Sequence, residues 1–113
     1  MIYEPFSVVK VPFPFTDSAK QKKRPALVLS SMEFQQKNGH IVLAMITSAK
    51  HSSWFGDLLI SDLKLAGLKA QSIVRQKIFT IDSRLVEKQL GVLSKEECKQ
   101  IRRKLSLSLS SQI

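Results

Sequence analysis

The chain has one cysteine, Cys98, and two histidines, His40 and His51, among its 113 residues. A lone thiol excludes an internal disulfide, and these three side chains cannot build an all-cysteine or Cys2His2 metal cage. The sequence also lacks a phosphate-cradling glycine loop, an H-E-x-x-H or G-x-S-x-G motif, and any carboxylate cluster at metal spacing. Those gaps disfavour nucleotide hydrolysis, zinc chemistry and two-metal nucleases, and lead to the expectation of no metal and no cofactor. The longest apolar run, residues 41–46, is far short of a membrane span. The first ten residues lack the basic-then-apolar order of a secretory leader, so a reducing, cytoplasmic setting is expected. Acids are scarce too. Nine Asp plus Glu stand against eighteen Lys plus Arg, a formal net charge of +9 and a pI near 10.0.

That charge comes partly in runs free of acids: Lys20, Lys22, Lys23 and Arg24; Lys64, Lys69, Arg75 and Lys77; Lys99, Arg102, Arg103 and Lys104. Such runs suit a polyanion, because each neutralised phosphate releases a counterion. They suit an acidic protein equally well. A hydrophobic fraction of 43% is ordinary for a globular chain, and no linker, repeat or second domain interrupts it. One domain over residues 1–113 is expected.

Residues 7–15 alternate as a half-buried strand, with Val9, Val11, Phe13 and Phe15 on one face and two prolines marking an edge or bend. Residues 16–24 read as a basic loop, 26–30 as a buried strand, and 31–39 as a short helix closed by Asn38-Gly39. Residues 40–48 form the most apolar strand. A polar loop over 49–56, a short strand over 57–60, a turn at Gly67 and a strand over 72–81 follow. A turn opened by Asp82-Ser83 and a short strand over 90–93 come next. Ser94 to Glu97 is a capping box that opens a helix carrying Cys98, Ile101 and Leu105 on one face, with the tail after it expected to fray. Many short strands with few helices point to a mainly β fold, a small barrel.

Among polar side chains, Arg24 stands where the basic loop meets a strand, and Pro25 biases it towards an extended backbone. An arginine held so can grip a phosphate in bidentate fashion and stabilise charge as a phosphorane forms. A solvated basic turn is the commoner explanation of such a run. Thr47 and Ser48 close the apolar strand, where hydroxyls can bind a phosphate oxygen or merely cap a turn. His51, in the following loop, has a pKa range suited to acid–base work, although a lone loop histidine is more often plain surface; Asp17 is a general-base candidate from its loop position alone. Trp54 and Phe55 can stack on unpaired bases or fold over the core.

Three segments together resemble the MazF/PemK-like toxin family: VVKVPFPFTDSAKQKKRPALVLS at 8–30, VLAMITS at 42–48, and GLKAQSIVRQKIFTID at 67–82 followed by LGVLS. The resemblance implies an SH3-like (CcdB/PemK-like) antiparallel β-barrel with a C-terminal helix. It implies a homodimeric toxin of a type II toxin–antitoxin system that cleaves single-stranded RNA without metal. An antitoxin would inhibit it and bind DNA with it. It further implies that Arg24 steadies the scissile phosphate or acts as an acid, and that Thr47, with Ser48 beside it, holds the phosphate or orients the attacking 2′-hydroxyl. Lys20, Lys22, Lys23, Trp54, Phe55, Arg75 and Lys77 are the candidate RNA contacts. Two departures stand out. Phe6-Ser7 occupies the place where the family usually has Gly-Asp, and the segment around Arg75 is one residue short. The competing readings are a barrel toxin that binds a protein such as gyrase, and a basic module that binds single-stranded nucleic acid.

Overall fold

The computed structural model describes residues 1–13, 22–50 and 53–110. Six strands, β1 (Ser7–Pro12), β2 (Lys23–Val28), β3 (His40–Ser48), β4 (Leu58–Leu59), β5 (Ser72–Asp82) and β6 (Lys88–Val92), form one sheet in the order β4-β5-β3-β2-β1-β6. Every neighbouring pair is antiparallel. Helices α1 (Met32–Asn38), α2 (Leu63–Ala66) and α3 (Lys95–Ser108) lie between and after them. Among the described residues no helix is long and apolar enough to cross a membrane.

The strands are apolar on both faces because both faces are covered. Val8, Leu27, Ala44, Ile46 and Val74 pack with Leu58, Ile60, Ala66 and Ile101 in one core. Val9, Val11, Phe13, Ala26, Val28, Leu43 and Phe79 alternate with them and form a second core, joined by Tyr3. This explains why 26–29 and 41–46 read as unbroken apolar runs rather than as alternating ones.

The sheet curls into a half-barrel, and α2 spans from the β4 edge towards β6. A Cβ on Gly67 would lie 2.1 Å from the Leu90 carbonyl oxygen, and one on Gly91 would lie 2.2 Å from that of Leu65. Backbone therefore packs on backbone there, which only glycine permits. The barrel with a C-terminal helix is thus present. Sequence patterning shows α2 only as a turn at Gly67.

Local signals account for most boundaries. Ser31 caps α1 by accepting from the Phe34 N–H, and Gly39 ends it at φ 63°. Ser94 and Glu97 form the expected reciprocal capping box on α3. The tail does not fray where the lost apolar period suggests: α3 continues to Ser108, although Leu107 is 66% exposed. A helix once nucleated adds a hydrogen bond per residue without needing an apolar face. At the departure noted above, Phe6 takes φ 67°, a left-handed conformation that glycine adopts without strain. Its ring is buried in the first core and the Arg102 guanidinium lies 4.9 Å over it.

Glu97 does more than cap. Its carboxylate also accepts from the Ser61 and Asp62 N–H groups, at 2.7 and 3.4 Å, and so ties α3 to the start of α2. Burial works against its charge, but the Ser94 hydroxyl and these backbone donors outweigh that and hold the carboxyl below the usual range. A depressed native pKa gives stability that is fully present above the unfolded value and lost as pH falls through the native one. Thermal melting is expected to hold steady from neutral pH down to about 5 and to fall below about 4. Glu97→Ala should cost about 2–3 kcal/mol, since it removes a charged acceptor that takes bonds from Ser61, Asp62 and Ser94 at once. Denaturant melts at neutral and acid pH check both.

Candidate active site

Strands β2 and β3 pair through only three positions, Ala26 with Met45, Leu27 with Ala44 and Val28 with Leu43. Beyond Ala26 the two part company. Residues 23–25 continue to pair with β1, Arg24 standing opposite Val11, while residues 46–48 continue to pair with β5. The same register carried two residues further sets Arg24 opposite Thr47, on the face that holds Ala26, Val28 and Leu43. The sheet therefore forks, and the two candidates stand on its two prongs.

Arg24 is half-buried. Its Cζ lies 6.0 Å from the Phe13 ring centroid, at the far limit of a cation–π contact. Its Nε is shielded from solvent and has no hydrogen-bond partner among the described residues. A buried donor left unpaired is costly, and a bound phosphate oxygen would satisfy it. Thr47 is half-buried and pairs with Ile73 of β5, and its side-chain hydroxyl makes no hydrogen bond among the described residues. Ser48 differs: its Oγ accepts from the Lys50 N–H at 3.3 Å, which caps the turn after β3. Lys22 and Lys23 are exposed beside Arg24. Asp17, Lys20 and His51 lie outside the described residues.

The remaining candidates form a separate unit. Arg75 is only 6% exposed and grips Asp57 with two bonds, Nε to Oδ1 at 3.2 Å and Nη2 to Oδ2 at 2.9 Å. The guanidinium lies 5.0 Å from the centre of the Trp54 ring, and Asp57 also accepts the Trp54 N–H. Gln76 donates to the Gly56 carbonyl. The loop over 53–57 is thus clamped onto β5. Phe55 projects outward at its tip, 76% exposed, beside Trp54 at 45%. Burial pushes the Asp57 carboxyl up, but the Arg75 guanidinium and the Trp54 N–H outweigh it and hold it below the usual range.

Arg75 is therefore engaged by a carboxylate rather than open to a phosphate. Lys77, half-buried, falls with Gln76 in the irregular stretch of β5 between the Met45–Arg75 and Ala44–Ile78 pairs. Asp57 was missed by sequence reasoning. Its only local signal was a carboxylate directly after the Trp54-Phe55-Gly56 turn, and its partner is 18 positions away. No group of three or more His, Cys, Asp or Glu able to hold a metal occurs among the described residues.

The small curled antiparallel sheet with a C-terminal helix is a fold shared with solved toxin structures. MazF (Form-I) from Deinococcus radiodurans superposes with a TM-score of 0.72 at 20% identity, covering 96% of this chain and 99% of that one. The MazE-MazF complex (Form-III) from the same organism gives 0.72 at 23% identity over 97% and 100%. An endoribonuclease in complex with its cognate antitoxin, from a mycobacterial species, gives 0.72 at 12% over 95% and 92%. No curated protein sequence matches. The family model for the PemK-like, MazF-like toxin of type II toxin-antitoxin systems matches residues 4–109, and the chain belongs to that family.

Proposed function

We propose that this protein is a sequence-specific, metal-independent endoribonuclease toxin that cleaves single-stranded RNA at the β2–β3 fork. The observation that carries the reading is the shielded Arg24 Nε, without a hydrogen-bond partner among the described residues, on the stretch of β2 that no longer pairs with β3. A phosphodiester laid in the fork would meet a fixed cation on one side and a hydroxyl on the other. The 2′-hydroxyl of the preceding ribose attacks phosphorus as its proton leaves. The bond to the 5′-oxygen breaks and that oxygen takes up a proton, leaving a 2′,3′-cyclic phosphate and a 5′-hydroxyl. Arg24 would stabilise charge growing on the non-bridging oxygens, and Thr47 would hold the phosphate or orient the nucleophile. The clamped loop would offer Trp54 and Phe55 to unpaired bases, each stack being worth about 1–3 kcal/mol.

The activity would reside in a single domain over residues 1–113, acting in the cytoplasm as a homodimer under a cognate antitoxin. Family membership and the likeness to toxin–antitoxin complexes support this part. Single-stranded RNA incubated with the protein in EDTA should give discrete fragments with cyclic phosphate and 5′-hydroxyl ends. Intact RNA, or 5′-phosphate ends, would refute the reading.

A further inference from the structure

On the opposite face of the same strand end lies a second cationic feature. Lys10 of β1, Lys23 of β2, Lys69 after α2 and Lys88 of β6 converge on a groove of about 280 Å³, which Arg24 also borders. Pro25, Gly67, Leu68 and Leu90 form the floor between the lysines, and no carboxylate lines it among the described residues. Glu87 reaches Lys10 at 4.0 Å and Lys23 at 3.6 Å. Lys69 and Lys88 are exposed and have no ion pair among the described residues. The fold thus gathers ammonium groups from four separate segments and leaves half of them without a counter-charge.

We propose that this groove is a subsite for the phosphodiester backbone of the RNA flanking the cut. Lysines present point charges that suit phosphate without reading a base. Successive residues of β2 face opposite ways, so Lys23 carries the charge onto the groove face while Arg24 keeps its guanidinium by Phe13. Continuity with the fork, whose Arg24 also borders the groove, favours the nucleic acid over an acidic peptide. This inference rests on the ribonuclease reading for the identity of the polyanion.

The test compares the parent with Lys69→Ala/Lys88→Ala, two exposed changes that should leave melting unaltered. Affinity for a long 2′-O-methyl RNA, which has no free 2′-hydroxyl to attack, is measured against salt. The magnitude of the log–log slope is expected to fall by about 1.4, at roughly 0.7 for each single-strand phosphate no longer neutralised. Cleavage of long RNA should show a raised KM at unchanged kcat, while a short oligonucleotide confined to the cut site is processed as by the parent. Lys69→Arg/Lys88→Arg should restore the slope. An unchanged slope, an equal loss on short and long substrates, or weakened binding of polyglutamate alone would overturn the proposal. A parent that binds but never cuts RNA refutes the ribonuclease reading, and the salt slope still decides the groove.

Discussion

Arg24→Ala is expected to lower RNA cleavage by about 10²–10³-fold, close to 3–4 kcal/mol of transition-state stabilisation, as for removal of one preorganised donor from a charge-stabilising site. Folding should be unaffected. Arg24 has no ion pair among the described residues, its Nε is already without a partner there, and its contact with Phe13 is marginal. Removing it takes away a buried donor that the described residues do not satisfy, so stability should stay level or rise slightly. Arg24→Lys should recover only a small part of the rate, because an ammonium cannot reproduce the planar fork. Single-turnover cleavage beside a denaturant melt separates the two effects. Loss of folding in step with activity would show that Arg24 is structural.

Asp57→Ala is expected to have the largest effect on stability, about 3–5 kcal/mol, because it removes the carboxylate that balances a buried guanidinium. The pair itself need not be stabilising relative to an apolar one: desolvation of both charges offsets most of their attraction. Replacing both, as Asp57→Leu/Arg75→Met, should therefore lie well above Asp57→Ala in stability. The double variant also tests what the clamp does for function. With the 53–57 loop freed from β5, KM for RNA should rise more than kcat falls, since the loop would position bases rather than the phosphate. A double variant less stable than Asp57→Ala would contradict the desolvation argument.

The contrast between these two residues shows what was legible in the sequence. Strands β3 and β5 and the start of α3 could be read from local signals: an apolar run, a branched-residue run and a capping box. Arg24 was legible as a charged residue held by Pro25, but the fork was not, because it depends on where β2 and β3 stop pairing. Arg75 looked like an RNA contact because its own segment is wholly basic. The acid that engages it lies on the far side of α2. Burial and ion pairing between distant segments leave no local pattern, whereas caps and strand alternation do. The same limit hid the lysine groove, whose members are spread from residue 10 to residue 88. Phe6 is a milder case: its place in the motif was visible, its left-handed backbone was not.

The central claim is that Arg24 and Thr47 act on one phosphate, and a double-mutant cycle tests it most directly. Single-turnover rates are measured for the parent, Arg24→Ala, Thr47→Ala and the double variant on one RNA. Groups that grip a single reacting centre are coupled, so the double variant should lose far less than the product of the single losses. Losses that multiply, or a Thr47→Ala variant that cuts as fast as the parent, would contradict a shared site at the β2–β3 fork.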